Sequence, residues 1–411
     1  MLWMTPTTLW ATSAEEPADS TPHWGLTLSG GPSRLLVMDK YQRYYQKERK
    51  VFSFEIQANH ISLPSDSDAF ARDYDFPTFS IGMRYAINHV TMRREERPTW
   101  GLAEMVDYDS QLGNQAALYL LFTRPFFRHR HWSADYTLGT GLGYSPKKYS
   151  KTDNVDNELI GSRFLIYFTA GLHATWRFAP DWGLRFGADF YHLSNGALNR
   201  PNKGANVLGP SVGLQYFPYY EEVLTHGRHT TKTPFKPYLF ARATVGVGGK
   251  VLNEDWLLTQ FHTSPDAADY RTGRFHFYTA YSLQADLMCR YARRWASGVG
   301  LDVFYGTYAS RVKTIDEQNG VDRKHSPLSV GVALKHTVYY HRLALDAGLG
   351  VYLYRHMGEN AAEIEKPYYE RIGLSYAIPS LGGLAIGACV KAHLTKADFT
   401  ELTLSMPFTL K

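Results

Sequence analysis

The chain has 411 residues, enough for two or three ordinary domains, but aromatics reach 15% while hydrophobic residues stay at 44% and the mean hydropathy is negative. That balance suits strands with two unlike faces better than several compact cores. No window approaches the 18 or so consecutive apolar residues that a membrane-spanning helix needs, and runs such as Ala117 to Phe122 are far too short, which excludes a helical membrane protein. The net charge of +5 comes from 44 basic and 39 acidic residues spread along the chain, without a basic cluster, so no nucleic-acid partner is expected.

At the start, residues 1–14 read as a remnant of a secretory signal without its basic region. Leu2, Trp3, Met4 and Leu9 to Ala11 are apolar, and Ala11-Thr12-Ser13-Ala14 offers a small-residue cleavage site. From Trp24 onward the chain alternates apolar and other residues in segments of about ten, the period-2 pattern of a membrane strand. The segments are 24–31, 50–60, 77–88, 115–125, 135–146, 163–177, 182–194, 206–217, 236–250, 273–290, 295–309, 327–338, 341–355, 368–378, 383–395 and 398–410, a count of sixteen to within two.

Connection lengths test this reading independently, because outer-membrane barrels have short periplasmic turns and long extracellular loops. With an upward first strand, the odd-to-even connections are mostly long, whereas Ala179-Pro180-Asp181, Tyr291 to Arg294, Tyr339-Tyr340 and Pro379 to Gly382 are turn-sized. The alternation fails at 61–76 and 220–235, which are long on the periplasmic side, and at 396–397, which is short outside. A soluble β-sandwich would leave the aromatics at the strand ends without a membrane interface to occupy. The expected fold is therefore all-β: an antiparallel transmembrane β-barrel in the outer membrane. One wide barrel of about 14–16 strands is preferred, since added strands widen a cylinder without leaving edges unpaired. Two tandem eight-stranded barrels are the alternative, which the long polar segment 220–235 permits.

Strand 182–194 shows both faces. Leu184, Phe186, Ala188 and Phe190 form a lipid-facing side, and Arg185, Gly187, Asp189 and Tyr191 form the other. The same parity carries His192 and Ser194 onto the lipid face at the extracellular end. On the returning strand Val212, Leu214 and Tyr216 face lipid, and Asn206 shares their parity. A His, a Ser and a group that orients the imidazole are the parts of a nucleophilic hydrolase. Such a site on the outer wall is within reach of an outer-leaflet lipid. Asp189 points to the lumen and is no substitute for Asn206.

The stretch His192-Leu193-Ser194-Asn195, followed by Pro201-Asn202-Lys203-Gly204 and then Asn206, resembles the signature of the PagL-type lipid A 3-O-deacylases, H-x-S-N, then P-N-x-G, then an acidic residue. The resemblance covers about residues 24–217 and implies an eight-stranded outer-membrane barrel whose seventh and eighth strands carry the site. It implies Ser194 as nucleophile, His192 as general base, Asn195 as a contributor to oxyanion stabilisation, and Gly204 as the glycine that lets the loop turn back. Asn206 departs from it, since the family pattern has Glu there. An amide can hold an imidazole by accepting its N–H, but it lends no charge to the imidazolium.

Four segments follow: the leader remnant 1–14, a PagL-like half 15–219 carrying the motif, a connector 220–235, and a second half 236–411 that reads as a degenerate repeat. In that half His393-Leu394-Thr395 ends a strand as His192-Leu193-Ser194 does. Yet Leu384, Ile386, Ala388 and Val390 set its lipid face, so His393 and Thr395 fall on the lumen side. Cys289 and Cys389 have no metal-ligand spacing and read as packed small side chains. The charged run Asp153 to Glu158 reads as a solvated loop.

The expected activity is ester hydrolysis on lipid A of lipopolysaccharide, with neither metal nor cofactor and with a homodimer compatible. The alternative is a non-enzymatic pore or structural barrel with a relic motif. Under it, lumen-facing Arg185, Asp189 and Lys391 would line a polar channel.

Overall fold

The structure is a computed structural model. It describes residues 23–38, 40–227, 233–359, 366–394 and 396–410, so the leader remnant and Thr395 lie outside the described residues. The first barrel is built from β1 (Trp24–Leu35), β2 (Lys50–Ile61), β3 (Thr78–Asn88), β4 (Gln115–Arg128), β5 (Trp132–Tyr144), β6 (Phe164–Arg177), β7 (Trp182–Ser194) and β8 (Ala205–Tyr216). The second comprises β9 (Tyr238–Lys250), β10 (Tyr278–Ala292), β11 (Trp295–Gly306), β12 (His325–Tyr340), β13 (Leu343–Met357), β14 (Tyr368–Ile378), β15 (Leu384–His393) and β16 (Lys396–Thr409). All neighbouring strands are antiparallel.

The all-β antiparallel barrel is as expected, but the preference for a single wide cylinder is corrected. β1 closes on β8, with Leu28 opposite Leu214, and β9 closes on β16, with Val245 opposite Leu404, giving two closed eight-stranded barrels. Eight strands already leave no edge and enclose a space that side chains can fill, so merging the halves would satisfy no further backbone group. Tyr220–Gly227 forms a helix in the connector between them.

Each lumen is filled by paired polar side chains. Arg185 grips Asp135 through two bonds of 2.7 and 2.6 Å, His173 meets Asp189 at 3.1 Å, and Arg84 pairs with Glu55. In the second barrel Lys335 donates to Asp302 at 2.6 Å, Tyr369 donates to the same carboxylate at 2.8 Å, and Lys391 donates to Asp398 at 2.6 Å. The three residues that a channel would use are thus tied into ion pairs or hydrogen bonds. Outward positions carry Leu118, Leu142, Phe164, Leu334 and Leu402, all exposed, with Trp132, Trp176 and Trp182 near the periplasmic ends of their strands. These belong against lipid and its interface.

The long periplasmic connection of the first barrel, which breaks the loop-length rule, touches the second barrel. Tyr74 Oη donates to the Tyr339 carbonyl at 2.8 Å, His341 meets Asp68 at 2.8 Å, and the Tyr340 ring packs 4.4 Å from Phe79. At the extracellular end the loop after β9 crosses the first barrel's loops. Leu102 N donates to the Phe261 carbonyl at 2.8 Å, and Tyr149 Oη donates to the Arg271 carbonyl at 2.8 Å.

Removing one member of a buried pair takes an acceptor from the other. Asp302→Ala strands the Tyr369 hydroxyl and leaves Lys335 with Gln284 at 3.0 Å and Asp286 at 3.6 Å, and is expected to destabilise the protein by about 1–3 kcal/mol. Urea unfolding of the protein refolded in lipid vesicles measures this, and an unchanged midpoint would contradict the role given to the pair.

Candidate active site

The register of three strands builds the site. His192 lies opposite Phe168 of β6 on one side and Asn206 of β8 on the other, while Ser194 lies opposite Ile166. Residues directly opposite share a face. Tyr191 and Leu193 point inward and are almost wholly buried, so His192 and Ser194 point outward, where both are half-buried.

His192 Nδ1 and Asn206 Oδ1 are 2.9 Å apart. An amide oxygen can only accept, so this contact requires a proton on Nδ1, and in the neutral ring the lone pair is then on Nε2. Asn206 is buried, which shields the bond from competing water. Among the described residues the Ser194 hydroxyl has no hydrogen-bond partner, His192 Nε2 included. The geometry therefore offers an oriented imidazole and an unengaged hydroxyl on one outward strand face.

Asn195 is brought beside this group but turned differently. Its N–H donates to Asn202 Oδ1 at 2.9 Å, its Nδ2 donates to Ser162 Oγ at 3.2 Å, and its Oδ1 accepts the Asn199 N–H at 3.4 Å. It thus ties the ends of the loop together. Gly204 has φ +73°, and a Cβ there would sit 2.6 Å from His192 Cε1. The glycine is needed both for the turn and for the space that the imidazole occupies.

The charged run 153–158 is corrected: Asp156, Asn157 and Glu158 are buried rather than solvated. Glu158 accepts from Tyr41 Oη at 2.7 Å, pairs with Lys203 at 2.8 Å, and also binds Arg94, which reaches Asp156 at 2.7 Å. Lys203 Nζ stands 3.6 Å from the centre of the Tyr41 ring. Alongside, the Lys203 and Gly204 N–H groups donate to the carbonyls of Glu158 and Leu159 at 3.1 and 3.0 Å. This clasp fastens the returning half of the motif loop to its neighbour. Sequence reading misses it because Arg94 sits in the run Arg93-Arg94-Glu95-Glu96-Arg97, which looks like a solvated face, and its partners lie about 60 residues away. Lys203, inside the motif, was the available signal.

Two family models match the chain: lipid A 3-O-deacylase (PagL) over residues 78–215, and the acyloxyacyl hydrolase C-terminal domain, PagL_C, over residues 240–410. The chain belongs to the PagL family. The match to the second model shows that the family extends over the second barrel as well as the half that carries the motif. Family and architecture together give an outer-membrane β-barrel protein. No curated protein matches the chain.

Solved structures that align with the chain include the alcaligin outer-membrane receptor FauA of Bordetella pertussis, at 13% identity and TM-score 0.27, with 95% of this chain aligned to 66% of that one. The pyoverdine receptor FpvA of Pseudomonas aeruginosa aligns at 11% identity and TM-score 0.28, over 95% of this chain and 63% of that one. The chain thus spans just under two thirds of the length of these receptors.

Burial alone would push the Glu158 carboxyl up, but Lys203 and Arg94 outweigh it and hold the group below the usual carboxylate range. A depressed folded value stabilises above the unfolded pKa of about 4.3, and that contribution is lost as pH falls through the folded value. The clasp should therefore hold at pH 7 and loosen only in acid below the ordinary glutamate range. Glu158→Gln should loosen it at pH 7 by about 3 kcal/mol, a difference from wild type that vanishes once acid has protonated Glu158. Faster hydrogen exchange of the 158–160 and 203–204 amides in the variant at pH 7 is the expected reading, and unchanged exchange would remove the clasp from the argument.

Proposed function

We propose that the protein hydrolyses an ester-linked acyl chain of lipid A at the outer leaflet, with Ser194 as nucleophile, His192 as general base and Asn206 as the group that orients the ring. The observation that carries this reading is the 2.9 Å contact between His192 Nδ1 and Asn206 Oδ1 on the strand face that also carries Ser194. Membership of a lipid A deacylase family supplies the substrate class.

In this reading Asn206 Oδ1 accepts a hydrogen bond from Nδ1–H, which keeps its proton, and Nε2 takes the proton of Ser194 as Oγ attacks the ester carbonyl. Collapse of the tetrahedral intermediate breaks the bond to the sugar oxygen, which receives the proton from His192. Water then repeats the sequence on the acyl-serine and releases the fatty acid. Oxyanion stabilisation is assigned to Asn195, whose Nδ2 now rests on Ser162 Oγ at 3.2 Å, a weak partner that a developing negative charge outcompetes. No metal or cofactor enters these steps. An outer-leaflet lipid reaches the wall laterally, so its chains stay in hydrocarbon throughout.

Incubation of the folded protein in detergent with lipid A should yield, by mass spectrometry, loss of one hydroxyacyl chain. Ser194→Ala should give no product. An unaltered lipid A mass with wild type, where an established deacylase acts under the same conditions, would overturn the reading.

Asn206→Ala is expected to lower kcat by roughly 100-fold, because the imidazole loses its fixed tautomer and orientation. Steady-state rates on the same substrate check this, and a wild-type kcat would show that Asn206 has no orienting role.

A further inference from the structure

The loop that follows Ser194 rests on the second barrel. Gly196 and Ala197 both adopt left-handed backbone conformations, φ +61° and +72°. For alanine that conformation costs of order 1 kcal/mol and persists only where its surroundings impose it. Here the surroundings belong to the other barrel. Thr400 Oγ1 donates to the Gly196 carbonyl at 2.6 Å, and the Val251 N–H donates to the Ala197 carbonyl at 2.9 Å. Arg200 Nε returns a bond to the Val251 carbonyl at 2.9 Å.

Thr400 lies on the outward face of β16, one step above Leu402, because Glu401 between them is buried in the lumen. A Cβ on Gly196 would meet Thr400 Oγ1 at 2.2 Å and Ile166 Cδ1 at 2.9 Å. Ile166 is the residue opposite Ser194. The turn after Ser194 therefore packs against the second barrel across a gap that admits only a glycine.

We infer that the second barrel completes the site, with Thr400 as a positioning residue for the turn after Ser194. A trans peptide is planar, so fixing the Gly196 carbonyl also fixes the direction of the Ala197 N–H, for which the described residues provide no acceptor. Holding that turn rigid places its donors before charge develops on the substrate, where prepositioned dipoles are most effective. The inference rests on the hydrolase reading for its kinetic consequence, but not for the bracing itself.

The test uses the full chain carrying Thr400→Val, which keeps the shape and removes the hydroxyl, beside Thr400→Ser, which keeps the hydroxyl. On lipid A, kcat of the valine variant should fall about fivefold to tenfold with KM nearly unchanged, the size expected for one lost hydrogen bond, and serine should restore most of it. Hydrogen exchange of the 196–200 amides should rise with valine and not with serine. A valine variant that matches wild type in both kcat and exchange overturns the inference. If wild type itself leaves lipid A intact, the substrate reading fails, and the exchange measurement alone then decides the bracing: faster exchange with valine supports it, and equal exchange overturns it.

Discussion

Hydrocarbon offers no partner to a peptide group, so every N–H and C=O at membrane depth must be satisfied by another strand. Closed ladders follow from that constraint, and closed ladders fix which side chains meet lipid. The candidate site is a by-product of the same rule. Because the register sets Phe168, His192 and Asn206 side by side, an imidazole and its orienting amide come into contact without any loop having to carry them. Strands hold such a pair with more precision than loops do. What the strands cannot supply is the turn after Ser194, and there the structure spends its polar contacts: Asn195 with Asn202 and Ser162, Lys203 with Glu158, and Thr400 with Gly196.

The parity of His192, Ser194 and Asn206 was legible because alternation is local: Leu184, Phe186, Ala188 and Phe190 declare the lipid face within one strand. The strand count of sixteen was legible for the same reason. Closure was not. Whether β8 returns to β1 or continues into β9 depends on pairing between residues about 190 positions apart, such as Leu26 and Tyr216, and no local pattern records it. The connection at 61–76, an exception to loop-length logic in one barrel, makes sense once Tyr74 and Asp68 are seen against the second barrel. The clasp around Glu158 was invisible because a buried carboxylate and a solvated one look alike until Arg94 and Lys203 are placed beside it.

The second barrel shows how little separates a site from a filled lumen. His393 ends β15 much as His192 ends β7, yet it points inward, is almost wholly buried, and accepts or donates at 2.8 Å to Tyr352. One residue of parity decides this, since shifting a strand by one exchanges its faces. The lumen of that barrel is occupied by Lys391, Asp398 and Phe399, so an inward histidine there serves packing and hydrogen bonding. What the second barrel offers the motif loop lies on its outside, in the contacts of Thr400 with Gly196 and of Val251 with Ala197.

Asn206 is best understood from where it stands. Burying an amide costs far less than burying an ion, so Asn206 occupies this wall without needing a charged partner. The amide forgoes charge stabilisation of the imidazolium but keeps the ring's tautomer and direction, which are the parts of the orienting role that need geometry alone. A site so built depends more heavily on the rigidity of its surroundings, because it has less electrostatic attraction to draw the imidazole back when it strays. The close fit of Gly204 against the ring, the Glu158 clasp on the next loop and the brace from the second barrel all act on that rigidity.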